Sequence, residues 1–321
     1  MPEYFRDAQS AAGFVTPQFY NIERTIYEVK YPSFDYASLV PTITEGNEWA
    51  RGTLFYSMDS AGQAEWIAGG GFDMPYADVQ KSQFTQGFHM AGIGYEWNLE
   101  EVNVAASEGI NMGDAKARAA RRIAQQKLWT IAMTGDPQKN MTGLINSDSL
   151  GVPAADVEAN GSGSVTFWAS KTPDQILADI NAGLTGIYTA TSETELADTV
   201  LLPTAIYQDL ASRPRSSTSD TTILSYLLAN NVYTAETGRP LMVRGLRVLD
   251  DADPGGDGRM VVFRRDPEVL RFHLPMPHRF LPPWQKSSMT WEVAGIMRTG
   301  GLEIRLPKAI SYLDGIVDTT T

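Results

Sequence analysis

The sequence has no cysteine, which excludes disulfides, thiolate metal sites and a cysteine nucleophile. Histidine is scarce: only His89, His273 and His278 occur. None has the four-residue spacing and glutamate of a helical zinc motif, so structural or surface roles are expected for all three. There is no G-x-S-x-G, and a Ser-His-Asp triad, which sequence does not rule out, has no local support. Carboxylates are plentiful but dispersed, so no pair stands out as an acid/base couple. No apolar run approaches the roughly 18 residues of a membrane span. The opening segment, residues 1–14, has no basic region followed by an apolar core, so a soluble, cytoplasmically made protein is expected. Basic residues are in deficit, with 26 Lys and Arg against 38 Asp and Glu and a net charge of −12. That balance argues against nonspecific grip on nucleic acid, which needs clustered cations. Internal repeats and low-complexity segments are absent too.

What is present is a folded composition. The chain has 321 residues, 43% of them hydrophobic and 20% charged, enough apolar content for one large domain or two. Its longest helical signal runs from Asn98 to Gly135. Asn98 with Glu101 makes a capping box, so helix is expected from Leu99. Gly109 interrupts, Asp114 offers a second N-cap, and residues 115–133 contain no Gly or Pro. Ala120, Ala124, Leu128 and Ala132 recur every four residues beside Ile123, Lys127 and Ile131, which predicts one apolar face. Lys116, Arg118, Arg121 and Arg122 occupy the other. Such a helix serves either as an ordinary core element or as a strut along which an extended subunit is built.

Residues 1–44 scatter aromatics among Pro17, Pro32 and Pro41 without a period. This segment cannot make its own core and is too apolar for water, so it is expected to drape over another surface. From residue 45 the signal is β: 49–58 reads as a strand, Asp59-Ser60-Ala61-Gly62 as a type I turn, and 63–68 as the return strand. Trp49, Phe55, Tyr56 and Trp66 are more aromatic surface than a two-stranded hairpin should expose, so partner contact is expected there. Gly69, Gly70 and Gly71 lack the spacing of a phosphate loop and read as a hinge. Residues 82–97 form another β-like run, and a Gly/Ala/Ser-rich surface loop is expected up to 164.

A second unit begins near Lys171, where Thr172, Pro173 and Gln175 spell a capped helix start. Ile176, Ile180, Leu184 and Ile187 line its face. A short strand at 198–202, helices at 204–210 and 222–230, and strands at 241–249 and 260–264 give an α/β or α+β lobe. Asp250, Asp251, Asp253 and Asp257 lie in the Gly/Pro loop between the last two strands. Their spacing resembles a calcium loop, but the late bidentate glutamate is missing, because Val262 stands twelfth from Asp251. A solvated hairpin tip is therefore preferred, with Asp251, Asp253 and Asp257 as the only candidate metal ligands. A Pro-rich link (275–283) precedes a closing hairpin of 291–297 and 302–306 around Thr299-Gly300-Gly301, and a tail, 307–316.

The order of these elements, an aromatic arm, a long hairpin, a long helix, an α/β lobe and a closing hairpin, resembles the HK-97-type major capsid protein. That fold is shared by tailed-phage shells and encapsulin nanocompartments. Local phrases that are similar to a phage capsid family include Met58-Asp-Ser-Ala-Gly-Gln-Ala64, Gly143-Leu-Ile-Asn146 and Thr172-Pro-Asp-Gln-Ile-Leu-Ala-Asp-Ile180. Asp198-Thr-Val-Leu-Leu-Pro203 and Arg298-Thr-Gly-Gly-Leu-Glu-Ile-Arg-Leu-Pro-Lys-Ala-Ile310 complete the set. The resemblance spans nearly the whole chain.

It implies an α+β fold with an N-terminal arm at 1–44 and an extended E-loop hairpin at 45–80. It further implies a peripheral domain at 81–170 and 285–321 with its spine helix, and an axial domain at 171–284. The implied function is structural and non-enzymatic: self-assembly as hexamers and pentamers into an icosahedral phage head enclosing double-stranded DNA without sequence-specific contacts. No cofactor and no membrane partner are implied; scaffolding, portal and decoration proteins are. The virion capsid, assembled in the host cytoplasm, is the implied location. Trp49, Arg51, Phe55, Tyr56 and Trp66 are the interface residues it points to. An encapsulin-like shell and an uncharacterised soluble hydrolase are the alternatives. The best known member of the fold joins its subunits through an E-loop lysine, whereas residues 45–80 contain none. Lys30 and Lys81 are expected outside the hairpin, and the shell is expected to be noncovalent.

Overall fold

The structure is a computed structural model and describes residues 34–61, 76–107, 112–216, 218 and 220–317. After the short strand β1 (Thr42–Ile43), β2 (Gly52–Ala61) and β3 (Asp78–Gly87) pair antiparallel from Gly52 opposite Gly87 to Ala61 opposite Asp78. This corrects the sequence reading twice. Residues 59–61, expected to turn, are paired strand, and the return strand is 78–87, so the hairpin extends to Gly87 rather than ending at 80. A four-residue turn signal is a local preference, and the ladder overrides it. Phe55 stacks on its cross-strand partner Phe84 at 5.2 Å and 18°, the kind of pair that sets register. Residues 62–75, with the expected return strand, the three glycines and Trp66, lie outside the described residues.

Strands β4 (His89–Gly92) and β5 (Tyr95–Asn98) lead into α1 (Leu99–Ser107) and α2 (Met112–Met133). Asn98 caps α1 as expected, its Oδ1 accepting from the Glu100 N–H at 3.4 Å. Helix α2 starts three residues before the expected Ala115, which moves Asp114 from the cap into the first turn. There its charge still favours the positive end of the helix dipole. Ala120, Ala124, Leu128, Ile131 and Ala132 are buried, whereas Ile123 is 43% exposed and does not share that face.

The end of α2 explains the phrase at 143–146. Between β6 (Gly135–Asp136) and β7 (Met141–Thr142) the chain turns back, so that the Leu144 and Ile145 N–H groups donate to the Ala132 and Met133 carbonyls. Asn146 clamps this turn, donating to the Thr134 carbonyl at 2.7 Å and accepting from the Gly143 N–H at 2.8 Å. Gly143 has no substitute, because a Cβ there would sit 2.1 Å from the Met133 carbonyl oxygen.

Next come β8 (Ala154–Asp156), α3 (Pro173–Ala190), β9 (Thr199–Leu202), α4 (Thr204–Ser212), α5 (Ile223–Ala229) and α6 (Val232–Thr237). The Thr172–Gln175 capping box forms as read, and Ile176, Ile180, Leu184 and Ile187 are all buried, each contributing about 1.5–3 kcal/mol. Helix α6 is a surprise: Asn231, expected only to end α5, also caps α6 by accepting from the Thr234 N–H.

The remaining strands are β10 (Met242–Gly245), β11 (Arg259–Phe263), β12 (Leu270–His273), β13 (Met276–Phe280), β14 (Trp284–Ser287), β15 (Thr290–Val293), β16 (Gly295–Thr299), β17 (Gly301–Ile304) and β18 (Ile310–Asp314). The central sheet has the order β10-β9-β11-β18-β8. Strands β10 and β11, expected as a hairpin, are separated by β9, so the Asp-rich loop is a crossover and not a hairpin tip. The Pro-rich link contains β13, at the edge of the three-stranded sheet β13-β16-β4, where proline is tolerated, and β14 follows it at the edge of the sheet β14-β15-β5. The expected closing hairpin does not form either. Strand β16 pairs with β13 and β4, while β17 pairs with β12 in the sheet β1-β12-β17. Gly300 and Thr299 both donate to the His273 carbonyl, and Gly301 at φ +75 redirects the chain into this second sheet.

The expected tail supplies β18, whose Asp314 joins a buried ionic group. Arg259 on β11 donates to both Asp314 oxygens at 2.7 and 2.8 Å, to Asp148, and to the Ile145 carbonyl. Tyr312, its hydroxyl pushed up to about 12 by burial, donates to the Leu144 carbonyl at 2.6 Å. The central sheet thus draws strands from residues 81–170, 171–284 and 285–321 together, across both expected domain boundaries.

Candidate assembly surface

The hairpin offers two unlike faces because strand residues alternate. Leu54, Tyr56 and Met58, with Val79, lie on one face and are exposed, Met58 by 72%. No ladder of this length keeps such a face in water without consequence, since contiguous exposed apolar surface marks an interaction site. Lys81 stands on this strand pair, opposite Met58, with its Nζ 3.5 Å from the centre of the Tyr56 ring. The expectation that Lys81 lies outside the hairpin is therefore corrected, for the same reason as the hairpin boundary.

The other face turns toward the body of the subunit. Arg305 lies 4.8 Å from the Phe55 ring centre and donates through Nε to Glu303 at 2.5 Å. Glu303 is buried and also meets His273 Nε2 at 2.5 Å. Burial pushes the Glu303 carboxyl up, but the hydrogen bonds from His273 and Arg305 outweigh it and hold the group below its ordinary value. His273 in turn packs against Phe88, just past the end of β3. A continuous path thus runs from a buried ion pair to the stacked aromatics of the hairpin.

The hairpin base is pinned by polar contacts. Gln86 donates to the Gly300 carbonyl at 2.5 Å, and the Phe88 N–H to the Arg51 carbonyl at 2.8 Å. Arg298 donates to the Glu48 carbonyl at 2.6 Å beneath the ring of Trp49, which remains 59% exposed. Among the expected interface residues, Trp49 and Arg51 therefore mark the base, Tyr56 the outward face and Phe55 the inward one; Trp66 lies outside the described residues. Sequence reading missed Leu54, Met58, Val79, Phe84 and Lys81, and their two-residue alternation was the available signal.

Two aspartates of the Asp-rich loop hold the backbone. Asp250 accepts from the Thr204 N–H at 2.9 Å, capping α4, and Asp253 accepts from the N–H groups of Gly255 and Asp257. Asp251, Asp253 and Asp257 form no metal-holding cluster, and none occurs among the described residues. No helix among the described residues is long and apolar enough to cross a membrane.

Comparison with known proteins adds a family. A family model described as "Major capsid protein" matches residues 62–316. The fold is similar to that in a structure titled "The capsid of Myoviridae Phage XM1", with a TM-score of 0.78 at 15% identity over 98% of this chain and 100% of that one. It is also similar to a chain of Microbacterium phage Oxtober96 (TM-score 0.65, 10% identity, 96% and 99% covered). A third similar structure is titled "Capsid of empty GTA particle computed with C5 symmetry" (TM-score 0.59, 13% identity, 97% and 98% covered). At these identities the likeness is one of fold, the HK-97-like capsid fold. A search of curated proteins with the sequence finds no match.

Proposed function

The chain belongs to the major capsid protein family, and from that premise we propose that it assembles as hexamers and pentamers into an icosahedral phage head enclosing double-stranded DNA. Its role is structural. The observation that carries the assembly reading is the outward face of the hairpin, where Leu54, Tyr56, Met58 and Val79 are exposed together. Covering such a face is the work of a neighbouring subunit in a large obligate interface. Residues 1–44 act as the arm, and the E-loop runs from 45 through its return strand to Gly87. The peripheral and axial regions share the central sheet, so they move as one body rather than as hinged domains. Scaffolding, portal and decoration proteins are the further partners, and the particle assembles in the host cytoplasm.

Electron microscopy and light scattering of the purified protein test this. Closed shells, or capsomers of five and six subunits, are expected. A 35.2 kDa monomer at every concentration, with no tendency to assemble, overturns it.

A further inference from the structure

Lys171 is 1% exposed and Asp179 5%, and Lys171 Nζ lies 2.6 Å from Asp179 Oδ2. Helix α3 sets this contact. Lys171 precedes its cap, and Asp179 sits about two turns in, on the side that also buries Ile176 and Ile180. The buried Trp168 donates its Nε1–H to the same Oδ2 at 2.9 Å. The amine also donates to the Glu158 carbonyl at 2.6 Å, while the Glu158 side chain accepts from Asn160 at 3.1 Å and is exposed. Arg213 fixes the backbone of this turn, donating to the Trp168 and Lys171 carbonyls at 3.4 and 2.5 Å.

An amine and a carboxyl in contact away from water have a chemistry that a surface ion pair lacks. Burial, the largest influence, pushes the Asp179 carboxyl up against the hydrogen bonds from Lys171 and Trp168, and the charge of Glu158 adds to it. Shifting one proton along the Nζ–Oδ2 hydrogen bond exchanges two buried charges for a neutral amine beside a neutral acid. A desolvated neutral amine is a nucleophile. We propose that Lys171 and Asp179 join in an isopeptide bond within the subunit. The Nζ lone pair bonds to Asp179 Cγ, and the Cγ–Oδ2 bond breaks. One Nζ proton passes through water to the Glu158 carboxylate and on to the departing hydroxyl, which leaves as one water molecule. Trp168 Nε1–H steadies that oxygen as it leaves, and Nζ keeps the single proton of an amide. Nothing is oxidised or reduced. The bond fastens the segment entering α3 to the helix itself. It stays within one chain, adds no ladder to a denaturing gel, and is independent of whether shells form.

Mass spectrometry of the full chain, purified folded and then denatured, tests this. Loss of one water lowers the mass by about 18 Da. Between Lys139 and Arg215 trypsin has one site, Lys171, because Arg213 precedes Pro214. The expected product is therefore a peptide of residues 140–215, uncut after Lys171 and about 18 Da light, with fragmentation placing the link between Lys171 and Asp179. Asp179→Ala should restore cleavage after Lys171 and the full mass. Glu158→Gln, which keeps the carbonyl, should slow the appearance of the link about tenfold or more, and an unchanged rate overturns its part in the step. The wild-type chain itself carries the main readout, so a variant that folds poorly leaves the answer intact. Full-mass peptides of residues 140–171 and 172–215 from the wild-type chain overturn the proposal.

Discussion

Arg305 lies over the Phe55 ring at 4.8 Å while its Nε holds the buried carboxylate of Glu303 at 2.5 Å. One side chain therefore ties the hairpin to the ionic interior of the body. Cation–π contacts of this kind are worth about 0.5–2 kcal/mol, more when shielded from water. Four expectations come from this geometry and its neighbours.

Glu303 has a folded-state pKa below its ordinary value of 4.5. Between the two values the unfolded chain binds more protons, so stability rises with pH there. The stabilisation is complete above the unfolded value and is lost as pH falls through the lower folded value. Thermal midpoints between pH 3 and 7 should drop in that acid window, and Glu303→Gln should flatten the drop. The variant should also cost about 1–3 kcal/mol at neutral pH, since the hydrogen bonds from Arg305 and His273 lose their charged acceptor. An unchanged acid limb in Glu303→Gln would show that another carboxylate controls it.

Tyr56 is exposed on the subunit and is expected to be covered in the shell. Tyr56→Ala should leave helical circular dichroism intact and weaken assembly by about 2–4 kcal/mol, the range of an interfacial aromatic. Equal loss of folding and assembly would place its main contacts within the subunit.

Asn146 holds the end of α2 through two hydrogen bonds. Asn146→Ala should cost about 1–3 kcal/mol in chemical denaturation, because the Thr134 carbonyl and Gly143 N–H lose their partner. Gly143→Ala should be worse, since its Cβ meets backbone that cannot yield. A neutral Gly143→Ala would mean that the turn relaxes without disturbing the helix.

Lys81 is the one lysine of residues 45–87, and its amine sits over the Tyr56 ring. A lysine nucleophile has to be set against the group it attacks, and Lys81 instead contacts an aromatic ring of its own hairpin. Boiled, denatured particles should therefore run as a single 35.2 kDa band. A ladder that disappears in Lys81→Arg would identify this residue as a cross-linker after all.

The sequence by itself determined the elements whose signals are local. The Thr172–Gln175 capping box, the buried stripe Ile176, Ile180, Leu184 and Ile187, and the start of α1 at Leu99 follow from spacing within a turn or two of helix, where the partners are a few bonds away. The arm, hairpin and long helix, in that order, carried the family resemblance for the same reason. Only the tertiary structure decided which strands meet. Asp59-Ser60-Ala61-Gly62 has the residues of a turn, yet Asp59, Ser60 and Ala61 pair with Gln80, Val79 and Asp78. Strands β16 and β17 adjoin in sequence and enter different sheets, because the carbonyl of His273 captures the turn between them. The groove lined by Phe55, Phe84, Leu150, Arg271 and Arg305 joins residues from the hairpin, the loop before β8, β12 and the turn after β17. No periodicity records such a meeting, since β pairing joins residues far apart in sequence and its register is set by partners that the local sequence does not contain.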